Sequence, residues 1–250
     1  MTDNLFQYLL RLGDDRLVLG HRLSEWCGHG PILEEDIALA NIALDLIGQA
    51  TLYLKLAGET EGKGRSEDDL AYFRDAIDYR NVQLVELPKG DFAFTTVRQF
   101  FFDVFSYHVL EELQSSSNSE LAGIAAKGFK EVRYHVRHSS EWILRLGDGT
   151  EESHSRTQRA VDELWRFTPE LFQADDVDRA MTAEGTGADL DAIEPKWNAV
   201  VTDVLKRATL VTPQDPPAMT GGRRGRHTEH LGHMLSEMQI VARSFPGAEW

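Results

Sequence analysis

The run His227-Thr228-Glu229-His230-Leu231-Gly232-His233 places three histidines at i, i+3 and i+6, near one edge of a helix, with Glu229 and Glu237 close by. Imidazoles beside carboxylates are ordinary ligands for a divalent metal, so this is the most metal-like spacing in the chain. No established metal site consists of such a run alone. A solvated or interface helix start accounts for the same residues.

Carboxylates offer a second chemistry. Di-metal sites inside four-helix bundles draw one Glu from each of two helices and a Glu-x-x-His from each of the other two. The i, i+3 spacing sets carboxylate and imidazole on one face, where both reach a metal. Here the corresponding stretches read Asp45-x-x-Gly48 and Glu131-x-x-Tyr134, and both histidines are missing. Glu25 with His21, and Asp103 with Glu111 and Glu112, complete the candidates. His135 and His138 form an i, i+3 pair, but helical geometry turns His135 about 100° from Tyr134 and roughly 40° from the face of Glu131. The site reads as degenerate and no metal is expected in this chain. Its buried carboxylates must then find cations or hydroxyls, for which Arg22, Lys55 and Tyr134 are available.

The third candidate is Gly221-Gly222-Arg223-Arg224-Gly225-Arg226, the one dense basic cluster in the chain. It precedes a helical stretch, and helix N-termini favour anions. Arg223, Arg224 and Arg226 would hold a phosphate-bearing ligand or an acidic partner surface. A solvated, mobile loop is the alternative.

The elements that must position these residues are helical. Apolar residues recur three or four apart from Asn4 to Trp26. A second helix opens at Glu34-Glu35-Asp36 and runs to about Ala57, apolar nearly all round and therefore expected to be buried among other helices. Ser66 and Asp69 read as a capping box for a short helix through about Asp78. Phe92–Gln114 and Glu120–Leu146 are the third and fourth long helices; further helices are expected over 151–167, 189–210 and Thr228–Ser244. The aromatic helix 92–114 carries more large apolar residues than one inward stripe needs, so part of its surface is expected to meet another subunit. No period-two alternation marks a strand. The expectation is one all-α domain over residues 1–250, a four-helix bundle with additional C-terminal helices.

Composition narrows the function. Twenty-six Lys and Arg against 41 Asp and Glu give a net charge of −15, which argues against nucleic acid as the main partner. Hydrophobic residues at 42% exclude global disorder. Cys27 is the only cysteine, so no internal disulfide or cysteine-based cluster exists. The N-terminus has no basic region of a signal peptide, and no run of apolar residues reaches the roughly 18 of a membrane span. A cytoplasmic protein is expected.

Several ordered motifs resemble one known family. They are Arg11-Leu-Gly-Asp-Asp, Leu23-Ser-Glu-Trp-Cys-Gly-His, Leu39-Ala-Asn-Ile-Ala-Leu-Asp-Leu-Ile-Gly-Gln-Ala, Glu131-Val-Arg-Tyr-His, Ile143-Leu-Arg-Leu-Gly-Asp-Gly-Thr, Leu164-Trp-Arg-Phe-Thr and Thr220-Gly-Gly-Arg-Arg-Gly-Arg-His-Thr-Glu-His-Leu-Gly. Together they resemble the C subunits of phenylacetyl-CoA 1,2-epoxidases, multicomponent bacterial monooxygenases. The resemblance implies a ferritin-like fold and a non-catalytic role beside a homologous A subunit that carries the di-iron centre. It implies a small B subunit, and a reductase E subunit with NADPH, FAD and an iron–sulfur cluster. The complex epoxidises the ring of phenylacetyl-CoA in aerobic phenylacetate degradation. The resemblance also implies contacts to the CoA ester from Asp78, Tyr79, Arg80 and Asn81 and from Arg179, Ala180 and Met181. Two other readings stay open: a self-sufficient di-metal oxidase, and a free-standing helical interaction protein.

Overall fold

The computed structural model describes residues 2–214 and 216–248; Met1, Asp215, Glu249 and Trp250 of the expected domain lie outside them. α1 (Thr2–Ser24) turns back into α2 (Leu33–Glu61). A crossover follows, made of α3 (Glu67–Tyr72), a 3-10 turn Ala76–Asp78 and the single turn α4 (Gln83–Glu86). It leads to α5 (Phe92–Leu113) and α6 (Ser119–Gly147). Beyond the bundle lie α7 (Glu151–Leu164), a 3-10 segment Trp165–Phe172, α8 (Asp176–Ala183), α9 (Leu190–Arg207), a 3-10 turn Gly222–Arg224 and α10 (Glu229–Ser244). No strand occurs among the described residues. Four long helices with one long crossover between the pairs is the ferritin-like arrangement.

Sequence accounts for most boundaries. Ser66 and Asp69 form the expected capping box, although α3 ends at Tyr72. Asp91 caps α5 by accepting from the Phe94 amide at 2.9 Å. α1 and α2 form the closest pair in the bundle, because a Cβ on Gly20 would stand 2.9 Å from the Ile47 side chain. Apolar periodicity predicts neither α4 nor α8; α8 follows a capping box at Asp175 and Asp178.

Two expectations reverse. α5 does not present its surplus aromatics to another subunit: Phe100, Phe101 and Phe102 are fully buried, and α6, α7 and α9 all pack around it. Trp197 of α9 makes the point, donating Nε1–H to the Phe101 carbonyl at 2.8 Å. α2 is the helix with an uncovered face instead. Leu33, Ile37 and Leu44 are 72%, 52% and 67% exposed. It is also long and apolar enough to cross a membrane by length and composition. Its inner face, however, is packed on α1, as in the core helix of a bundle.

Candidate functional site

Where the four bundle helices face one another, the structure places a guanidinium. Arg16 of α1 is buried and donates from Nε to Gln49 of α2 at 2.8 Å, from Nη2 to Ser106 of α5 at 3.0 Å and from Nη1 to the Leu12 carbonyl at 3.0 Å. Its plane lies 5.0 Å from the Tyr53 ring centroid. Gln49 in turn donates to Glu131 of α6 at 2.8 Å. Each long helix thus contributes one polar side chain to a network centred on a fixed cation. A permanent positive charge held this way would repel a divalent metal in the same space.

The remaining carboxylates are held separately. Asp45 meets His135 Nε2 at 3.0 Å, and Glu35 meets His138 Nε2 at 2.8 Å. Asp103 is buried and accepts from Gln99 at 2.6 Å and Ser139 at 2.8 Å. Burial pushes its pKa up to about 6, against the pull of nearby His135. Gly48 has no neighbour within 4 Å of a built Cβ and faces outward. Tyr134 is 41% exposed. Among the described residues no three His, Cys, Asp or Glu converge as a metal site. The donors therefore do not fit a di-iron centre.

The expected counter-charges also change. Arg22 binds Glu25 at 2.6 Å and the Glu86 and His230 carbonyls, at the end of α1 rather than in the bundle centre. Lys55 and Tyr134 point to solvent. Arg16, Gln49 and the two histidines take their place. His135 is fully buried against α2 although helical geometry turns it off the face of Glu131; it is Tyr134 that leaves the bundle.

A second locus lies at the other polar stripe of α1. Arg11 donates to Asp175 and Asp178 of α8 at 2.6–2.9 Å. Asp14 binds the Arg74 guanidinium and accepts from the Arg80 amide at 2.8 Å. Asp15 accepts from the Val82 amide at 2.8 Å and takes a bidentate pair from Arg223 at 2.8 and 3.0 Å. Three nearby charges on one helix thus fasten α8, the crossover and the 221–226 loop.

That loop is consequently ordered. Glu170 accepts from the amides of Gly221, Gly222 and Gln83, each at 2.7 Å. Gly222 runs so close to the Asn81 carbonyl that a Cβ would sit 2.2 Å away. Arg223 is committed to Asp15 and to the Arg80 carbonyl, so it is a structural residue; Arg224 and Arg226 are exposed. The loop does not open onto a free helix N-terminus. α10 starts at Glu229, and buried Glu86 already accepts from the Thr228 amide at 2.5 Å and contacts His227 at 2.7 Å. His227 is thereby separated in role from His233, which is exposed, and from His230, which lines another cleft.

A cleft of about 390 Å³ runs between α8 and this loop, lined by Glu170, Asp175, Arg179, Arg223 and Arg224 among others. Arg179 lines it and is exposed; Ala180 is half-buried, Asp78 is exposed, and half-buried Arg80 donates to Gln7 and to the Ile77 and Tyr79 carbonyls. Tyr79, Asn81 and Met181 are fully buried, with the Tyr79 hydroxyl on the Ala71 carbonyl and Asn81 donating to Glu86 at 2.8 Å. Those three side chains serve the core.

The third locus is the uncovered α2 face. Its outward stripe is Leu33, Ile37, Asn41, Leu44 and Gly48, preceded by exposed Ile32. The all-round apolar pattern of the second helix assigns Ile37 and Leu44 to the core, and the structure places them outside it. Sequence reasoning misses the network residues Arg16 and Gln49 and the clasps Arg11, Asp14, Glu86 and Glu170; charges at i, i+3 and i+4 inside a leucine-rich helix are the available signal.

All of residues 1–250 match the family described as phenylacetic acid catabolic protein. The chain is 49% identical over 248 residues to the C subunit of the 1,2-phenylacetyl-CoA epoxidase of Escherichia coli (strain K12), a match that covers 99% of this chain and 100% of that relative. With the degenerate bundle centre and the ferritin-like frame, this places the chain in a single family: it belongs to the phenylacetic acid catabolic proteins.

Proposed function

We propose that the chain is the non-catalytic C-type subunit of a cytoplasmic monooxygenase that epoxidises the ring of phenylacetyl-CoA. The carrying observation is the Arg16–Gln49–Glu131 network, which fills the bundle centre with a cation and hydrogen bonds instead of metal ligands. In this reading oxygen chemistry belongs to a homologous di-iron A subunit, and electrons arrive from NADPH through the FAD and iron–sulfur groups of an E subunit, with a small B subunit as accessory. The apolar stripe of α2 supports docking of the A subunit: exposed Ile37 and Leu44 run into outward-facing Gly48, where a neighbouring helix can approach closely. The cleft beside α8 supports a contact to the CoA ester, with Arg179 and Arg224 as the phosphate-facing residues.

Gel filtration of the chain mixed with its A-type partner at micromolar concentration tests this. The expected result is one heteromeric peak, lost in Leu44→Glu while that variant alone elutes as the wild type does. Two separate peaks for the wild-type pair would overturn the reading.

A further inference from the structure

A cleft of about 460 Å³ opens between α7 and the turn before α5, with Leu87, Phe94, Leu164 and Phe167 as its apolar walls. This volume lies within the range of small-molecule sites and suits a body of about a dozen non-hydrogen atoms. Two arginines of α7, Arg156 and Arg159, stand at its mouth. Arg156 is occupied by Glu152 at 2.7 Å and Asp91 at 3.3 Å. Arg159 takes part in no ion pair among the described residues, and neither does exposed Glu163.

The decisive group lies behind the wall. Arg98 is one helical turn beyond Phe94 on α5 and is fully buried. Its Nη1 donates to the carbonyls of Leu87 and Pro88, the latter at 3.0 Å, so it sits directly against the turn that walls the cleft. Among the described residues its Nε and Nη2 have no partner, and no carboxylate binds it. Burial pushes its pKa down to about 9, which leaves it charged at neutral pH. Arg22 lies close enough to oppose that charge and Glu25 close enough to favour it, and Arg22 binds the carbonyl of His230, which also lines the cleft. An unpaired buried cation is costly, and its field is weakly screened on the apolar side. Glu163 at the rim is exposed and screened by solvent. Asp91 and Glu163 offset Arg156 and Arg159 in the lining, so the excess positive charge beside this apolar cleft is that of Arg98.

We propose that this cleft binds a small monocarboxylate with an apolar body, an arylalkyl or medium-chain acid. The body lies between Phe94 and Phe167, and the carboxylate meets the free guanidinium of Arg159 in the field of Arg98. A matched amine would fill the same walls and meet repulsion instead. The site is separate from the α8 cleft and from the α2 stripe, and it does not depend on the role assigned to either.

Isothermal titration of the full chain with 3-phenylpropionate and with 3-phenylpropylamine tests it. The expected result is saturable one-site binding of the acid, about tenfold or more tighter than the amine. Arg159→Gln is expected to weaken the acid about fivefold and to bind the amine at least as tightly as the wild type does. Arg98→Met keeps the volume and is expected to raise the thermal midpoint while erasing the preference for the acid. Absence of saturable acid binding up to about 10 mM would overturn the proposal. Equal affinities for acid and amine would do the same, as would a preference that survives in both variants.

Discussion

Asp103 carries the clearest pH signature in the molecule. Its carboxyl titrates near 6 because burial disfavours the anion, against 3.8 in an unfolded chain. The folded state therefore prefers the neutral acid. The stability this group contributes is complete below about pH 4 and is lost as pH rises through 6, a cost of about 3 kcal/mol at pH 8. Asp103→Asn removes the titration while keeping the shape. Denaturant unfolding should find the variant more stable than the wild type at pH 8 and nearly equal at pH 4; the same loss at both values would contradict the assignment. Arg16 and Glu131 differ in weight. Arg16→Met strands Gln49 and Ser106 in the core and should cost about 3 kcal/mol. Glu131→Ala removes one partner from a half-buried position and should cost about 1 kcal/mol. The missing histidines at Gly48 and Tyr134 were legible from spacing alone. What replaced them was not, because Arg16 and Gln49 are separated by 33 positions and only the packing of α1 on α2 brings them together.

At the scale of elements, the long helices were legible because each carries enough periodic apolar residues to outweigh local exceptions. α8 was not, since eight residues show too little of any period. The burial of α5 and the exposure of α2 exchanged places for a related reason. Composition tells how apolar a helix is, and only topology tells how many neighbours cover it. α5 has α7 and α9 over its outer side, whereas Leu33, Ile37 and Leu44 on the outer side of α2 stay exposed among the described residues. α1 is the organising element, and its charged residues are clasps. Asp15 ties the crossover and the 221–226 loop to α1 through the Val82 amide and Arg223. Asp15→Asn leaves Arg223 partly buried without its counter-charge and should cost about 3 kcal/mol. Hydrogen exchange should report faster opening at Gly221 and Gly222 in that variant, with α5 and α6 unaffected. Uniform exchange across the chain, unchanged from the wild type, would show that the pair does not fasten the loop.

At the scale of the whole molecule, the chain has a ferritin-like frame whose central donors do not fit a di-iron centre. Bundle centre, uncovered α2 stripe and net charge of −15 together describe a partner for another protein rather than a self-sufficient oxidase. The carboxylates of the bundle serve ion pairs and hydrogen bonds rather than a reactive metal. The most direct measurement is iron content and ring-epoxidation turnover of the complex assembled with its A-type subunit, comparing the wild-type chain with an Asp45→Asn, Glu131→Gln double variant. Iron per complex and turnover are expected to stay within about twofold of the wild type. Loss of about two irons per copy of this chain, together with loss of turnover, would contradict that expectation.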